Sequence, residues 1–193
     1  MARSIQEDKA ELVRRRILEA SFELVAENGL GRLRMGEVAT RASCSRATLY
    51  RCFASKEDLL HGIFESEALR IIRELGPRIL DEQGIAERLT EMVAGAVESV
   101  RETPHLRPFF EPEALSITLS AAASAPGLHQ ASVAFLQRVL PPGPSIRDGL
   151  DLFDVSEWLV RSVLSFLMFE GIKRRSAIEF RQQIRTFVVN PII

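Results

Sequence analysis

Residues 35–60 read MGEVATRASCSRATLYRCFASKEDLL. The stretch divides into two short helices, a turn between them and the start of a longer helix. Met35, Val38 and Ala39 stand at i, i+3 and i+4, a small apolar face of about two turns. Ala42-Ser43-Cys44 interrupts that pattern, and Ser45 is a good N-cap because its hydroxyl can accept from an unpaired amide of the next turn. A helix is predicted from there to about Phe53. Leu49 and Phe53 are four apart on it and turn inward, which leaves Ser45, Arg46, Ala47, Thr48, Tyr50 and Arg51 outward. Ser55 repeats the capping device, with Asp58 at the third helical position and acidic side chains near the positive end of the helix dipole.

Two short helices joined by a tight turn, the second polar and presented outward, form the helix-turn-helix arrangement in which the second helix enters the DNA major groove. The side chains suit that use. Arginine reaches guanine O6 and N7 or a phosphate, and Ser, Thr and Tyr hydroxyls donate to phosphate oxygens.

Working outward, residues 9–28 place Leu12, Ile17, Leu18, Phe22, Leu24 and Val25 largely at helical spacing, and Asn28-Gly29 supplies residues that tolerate the left-handed conformation closing a helix. On the other side, the helix opened by Ser55 carries Leu59, Leu60, Ile63, Phe64, Leu69, Ile71, Ile72 and Leu75 and is expected to end at Gly76-Pro77. Beyond it no period-2 alternation occurs, so no sheet is expected. Further helices are predicted at about 78–82, 84–102, 105–124, 127–140, 152–171 and 176–189, bounded by Gly84, Thr103-Pro104, Pro126-Gly127 and the PPGP turn at 141–144.

The chain has 193 residues, 46% apolar and 26% charged, with 11 Gly and 9 Pro, the composition of a folded globular protein. No apolar run reaches the roughly 18 residues of a membrane span, and the charged N-terminus lacks the apolar core of a secretory signal, so a cytoplasmic protein with no membrane partner is expected. Residues 1–60 carry eleven Lys and Arg against nine Asp and Glu, and residues 61–193 fourteen against seventeen. The small basic excess therefore accompanies the helix-turn-helix, which permits nucleic-acid binding without demonstrating it. Cys44 and Cys52 have neither the spacing nor the histidine partners of a zinc site and are expected to pack as free thiols. No metal or cofactor is expected. The three histidines (61, 105, 129) fall on separate elements, and no nucleophile triad or phosphate loop occurs, so the sequence argues against an enzyme.

The run VATRASCSRATLYRCFASKEDLL, preceded by a long first helix, resembles the DNA-binding domain of TetR-family transcriptional regulators over about residues 9–60. Thr48-Leu49-Tyr50, Phe53 and Ser55-Lys56-Glu57, in register with Val38-Ala39, carry the resemblance. It implies an all-α protein: an N-terminal three-helix helix-turn-helix domain (1–54), a connecting helix (55–76) and a C-terminal helical domain for effector binding and dimerisation (77–193). It also implies a homodimer acting on a palindromic double-stranded operator, most often as a repressor, and a small-molecule effector, here expected to be apolar. Tyr50 and Lys56 would hold phosphates, with Arg46, Ala47 and Thr48 at the groove and Arg46 and Arg51 best able to read bases. Alternatively Tyr50 is a half-buried brace and Lys56 a solvated lysine.

Three residues depart from the family's pattern. Ser43 stands where Gly is usual in the turn and carries a left-handed backbone penalty. Cys52 replaces a His and donates a hydrogen bond poorly. Arg34 replaces a Ser or Thr cap, yet as a cation it can meet the DNA backbone. A helical small-molecule-binding or interaction protein with weakened DNA binding is the alternative they leave open.

In the C-terminal half, Val155, Trp158, Leu159, Val163, Phe166 and Leu167, with Ile178, Ile184, Phe187 and Val188, make two helices apolar over much of their girth. A four-helix bundle across a two-fold axis would bury them, with Trp158, Leu159, Val163, Ile184, Phe187 and Val188 at the interface; completing the monomer core is the alternative. Met92, Ala96, Phe109, Phe110, Leu115, Leu119, Phe135 and Phe166 are candidates to line an apolar effector pocket, or else are core. His105 and His129 would be polar anchors there, or surface or satisfied core residues. Arg161, within an apolar helix, is expected to pair with Glu111 or Glu113.

Overall fold

A computed structural model describes residues 2–123, 126–140, 146–169 and 174–193. Among them every regular element is helical. The order is α1 (Ala2–Asn28), a 3-10 turn (Leu30–Arg32), α2 (Met35–Arg41), α3 (Arg46–Cys52), α4 (Lys56–Asp81), α5 (Ile85–Glu102), two 3-10 segments (Pro104–Phe109 and Pro112–Ala114), α6 (Leu115–Ala123), α7 (Pro126–Val139), α8 (Leu152–Met168), α9 (Ala177–Ile184) and a π turn (Arg185–Val189). No helix among the described residues is long and apolar enough to cross a membrane.

The helices begin and end for local reasons. Gly29, at φ 78°, closes α1, its amide donating to Val25 O at 2.8 Å. Asp151 and Ser176 open α8 and α9 through reciprocal capping boxes with Asp154 and Glu179.

Three expectations are corrected. The helix expected to end at Gly76-Pro77 continues to Asp81 and absorbs the separate 78–82 piece. The single helix expected at 105–124 is two 3-10 segments followed by α6. Pro108 and Pro112, four residues apart, each lack an amide proton and clash with the preceding turn, and two such costs within one segment break the α-helix into 3-10 pieces. Arg161, expected as a buried cation, is exposed and pairs with Glu157, one turn earlier on its own helix; the side chain of the expected partner Glu113 lies outside the described residues. The expected positions 124, 141–144 and 170–171 lie outside the described residues.

The chain divides into two compact units. The first comprises residues 1–67 and 104–125. Ile17, Leu24, Val25, Leu30, Leu33, Val38, Leu49, Phe53, Leu59 and Ile63 are buried in it, which cements α1, α2, α3 and the first turns of α4. The returning segment packs on α1: Phe22 stacks on Phe109 with ring centres 6.0 Å apart and meets His105 edge-on at 4.7 Å.

The second unit comprises residues 68–103 and 126–193. Ile79, Leu89, Val93, Leu136, Val139, Val155, Ile184 and Val189 form its core. Beside that core lies an ionic cluster: Arg181 on α9 meets both Glu91 (2.9 Å) and Glu98 (2.6 Å) on α5, and Arg78 of α4 pairs with both carboxylates. Glu91 is nearly buried, and two guanidinium groups supply the partners its charge needs there.

Candidate nucleic-acid interface

Helix α3 is built as its sequence requires. Ser45 Oγ accepts from the Thr48 amide at 3.0 Å and lies 2.9 Å from Thr48 Oγ1, which fixes the first turn. Leu49 and Phe53 are fully buried, whereas Ser45, Arg46, Ala47, Tyr50 and Arg51 are exposed and Thr48 half so. The inward and outward faces are therefore as expected.

The turn before it contains the strained residue the sequence implies. Ser43 adopts φ 51°, the left-handed region, and the turn still closes, with Ser43 N donating to Thr40 O (3.1 Å) and Cys44 N to Ala39 O (2.9 Å). Arg34 stands at the N-cap of α2 with extended backbone and no side-chain capping bond, so its exposed guanidinium is left for solvent or a ligand. At α4, the Asp58 amide donates to Ser55 Oγ at 3.1 Å, and Asp58 returns a bond to the Ala54 amide at 2.9 Å. Lys56 donates to Gly31 O at 3.3 Å, which ties the start of α4 to the 3-10 turn after α1.

Leu24, Arg34, Gly36, Glu37, Thr40, Arg41 and Arg46 line an open cleft of about 720 Å³ beside α2. Its three arginines differ in what they can do. Arg41 is spoken for: its guanidinium takes Glu27 at 2.8 Å and Glu23 at 3.2 Å on α1, bonds that raise its pKa further and hold the Glu27 carboxyl below the usual range. Arg34 and Arg46 make no ion pair among the described residues. The Arg46 guanidinium lies over Gly36, where a side-chain carbon would come within 3.2 Å of Nη2. A cleft with two unpaired guanidinium groups offers an anion such as a DNA phosphate charge-assisted hydrogen bonds.

Two contributors escape a reading of the sequence. Arg14 of α1 donates to Cys52 O at 3.1 Å with its guanidinium 4.2 Å above the Phe53 ring, and Gly62 of α4 faces the same ring. Nothing in their spacing announces these roles; a tertiary contact creates them. Cys44 and Cys52 are free and half-buried, and burial raises the Cys44 thiol pKa.

The candidate effector-lining residues fall in both units: Phe109, Phe110, Leu115 and Leu119 in the first, Met92, Ala96, Phe135 and Phe166 in the second. Phe109 and Phe135 are buried, while Leu119 is 44% exposed. His129 lies 3.5 Å from Ser156 Oγ. Of the candidate interface residues, Leu159, Ile184 and Val188 belong to the core of the second unit and Val163 packs against it. Trp158 and Phe187 are exposed, at 43% and 70%, and the Trp158 indole donates to Val188 O at 2.9 Å.

Comparison with known proteins agrees with this geometry. A model of bacterial regulatory proteins of the tetR family matches residues 17–63, which contain the helix-turn-helix. An uncharacterized HTH-type transcriptional regulator of Mycobacterium tuberculosis (strain H37Rv) is 33% identical over 185 residues, covering 96% of this chain and 87% of that protein. Among solved structures, the TetR family repressor AlkX from a Dietzia species, implicated in biodegradation of n-alkanes, is similar with a TM-score of 0.67 at 20% identity, over 92% of this chain and 95% of that one. FadR from Bacillus subtilis, solved with stearoyl-CoA, is similar with a TM-score of 0.54 at 17% identity, over 92% and 98%. At those identities the solved structures speak for the fold, and the mycobacterial relative together with the matched helix-turn-helix speaks for the family. The chain belongs to the TetR family of bacterial transcriptional regulators.

Proposed function

We propose that this protein is a ligand-responsive repressor that acts as a homodimer on a palindromic operator, with α3 in the major groove. One observation carries the reading: a seven-residue helix, capped by Ser45 and anchored by two fully buried side chains, turns Arg46, Ala47, Tyr50 and Arg51 to solvent. Arg46 and Arg51 read bases, Tyr50, Thr48 and Ser45 hold phosphates, and Arg34 and Lys56 meet the backbone on either side. Residues 1–54 are then the DNA-binding head, 55–76 its connection and 77–193 the effector and dimer region of a cytoplasmic regulator without catalytic activity.

Four large apolar side chains exposed on α8, α9 and the π turn, Phe153, Trp158, Ile178 and Phe187, support a second copy as the partner. Two heads then meet half-sites about 34 Å apart, one turn of DNA. For the effector, Met92, Ala96, Phe135 and Phe166 share one unit and are the set to substitute first. The n-alkane connection of AlkX and the stearoyl-CoA of FadR favour an apolar or acyl-chain compound. Such a ligand acts only through different affinities for the DNA-competent and DNA-incompetent states.

The test is binding to the DNA flanking the protein's own gene. A shifted complex is expected, lost steeply as salt rises because counterions are released on binding. No complex at low salt without added ligand would sink the proposal.

A further inference from the structure

We propose that Arg14, on α1, positions the recognition helix for DNA without touching DNA itself; the proposal rests on α3 being that helix. Cys52 is the last residue of α3 and Phe53 its C-cap. The final carbonyls of any helix lack intrahelical partners. Arg14 supplies one, donating from Nη1 to Cys52 O at 3.1 Å from a half-buried position. Its guanidinium also lies over the Phe53 ring, 4.2 Å from the centroid. A cation over a ring face is attracted by it while its N–H groups remain free to donate to a carbonyl at its edge.

The ring is crowded by α4 as well: a side-chain carbon on Gly62 would lie 2.6 Å from its Cε1 and 3.3 Å from its Cζ. The end of α3 is thus held at a fixed pitch by the Arg14 bond to its backbone and by the close fit of its buried C-cap ring against Arg14 and Gly62. Bidentate base contacts depend on that pitch, whereas the attraction of a cation for phosphates tolerates a tilt. Loss of Arg14 therefore removes discrimination between sequences in preference to DNA binding as such.

R14Q and R14K are titrated, at one salt concentration, against a duplex from the flank of the protein's own gene and a scrambled duplex of the same length, with thermal unfolding recorded for each. R14Q is expected to lose about tenfold on the native duplex and less than about twofold on the scrambled one, the size of a lost cation–ring contact and carbonyl bond. R14K, which keeps a cation for the ring and a donor for the carbonyl, should recover to within about threefold of the parent. Unchanged R14Q affinity overturns the proposal. So does an equal loss on both duplexes, which makes Arg14 a phosphate contact, and so does an R14K as weak as R14Q. If R14Q does not fold, F53L approaches the same joint from the ring: selective loss on the native duplex supports the proposal and undiminished selectivity overturns it. An R46A/R51A double variant serves as the control. If it binds the native duplex as the parent does, the reading of α3 fails first, a result separate from any outcome at Arg14.

Discussion

A side-chain carbon on Gly62 would lie 2.6 Å from Cε1 of Phe53, closer than packed atoms come, and a tight 3.3 Å from Cδ2 of Leu18. Phe53 is fully buried and its ring cannot swing away into solvent. G62A should therefore destabilise the head by about 1–3 kcal/mol through overpacking, even though alanine is the better helix former by about 1 kcal/mol. Thermal unfolding measures it, and a rise in Tm would show that α4 is free to move off the ring.

The cluster around Glu91 predicts a second cost. Glu91 is 6% exposed and shares Arg181 with Glu98 and Arg78 with the same neighbour. R181M removes the fork that joins α9 to α5 and leaves Arg78 to satisfy both carboxylates. Breaking a buried pair from one side costs about 3 kcal/mol. Chemical denaturation at neutral pH is the measurement, and a loss below about 1 kcal/mol would make the cluster a solvated surface network.

The same cluster sets the acid limb of stability. The Arg181 hydrogen bond, with its charge and that of Arg78, holds the Glu98 carboxyl below its usual range. Glu27, bonded to Arg41, is lowered likewise. A carboxyl lowered in the folded state binds fewer protons there than in the unfolded chain. Its stabilisation is thus full above the ordinary carboxylate pKa and is lost as pH falls through the folded value. E98Q should flatten the dependence of Tm on pH between about pH 5 and pH 3, whereas an unchanged slope would place the titration elsewhere.

Phe187 separates dimerisation from folding. It is 70% exposed, whereas its neighbours Val188 and Val189 are in the core. F187D should leave thermal unfolding of the protomer cooperative while shifting the hydrodynamic size toward a monomer, because a carboxylate buried in an apolar interface costs several kcal/mol. A variant of parental size would move the proposed interface off this face.

The head was legible in the sequence because local signals and tertiary packing agree there. Ser45, Ser55 and Gly29 mark helix ends by their own chemistry, and the spacing of Leu49 and Phe53 points inward without help. Elsewhere local signals mislead. Gly76-Pro77 looks like a stop, yet α4 runs through it to Asp81 beside the Phe135 ring, which a side-chain carbon on Gly76 would meet at an ordinary 3.4 Å. Arg161 sits in an apolar stretch and invites a distant partner, although Glu157 stands one turn away at the spacing where helical ion pairs form. Arg14 was invisible for the opposite reason. Its partner is 38 residues distant and is a backbone carbonyl, which no side-chain pattern advertises.

Ser43 yields the prediction that most directly joins sequence to structure. Its φ of 51° lies where a side chain costs about 1–2 kcal/mol and glycine costs nothing. The turn is nonetheless closed by the bonds from Ser43 N and Cys44 N, and Ser43 is exposed with no side-chain hydrogen bond among the described residues. S43G removes the penalty and adds back about 0.4–1 kcal/mol of unfolded-chain entropy, so the net gain is about 0.5–1 kcal/mol. Tm should rise by a few degrees, with affinity for the flanking duplex equal to or above the parent's. A lower Tm would mean that the hydroxyl makes a compensating bond in solution. Lower affinity at higher Tm would mean instead that the strain in the turn is part of how α3 is presented to DNA.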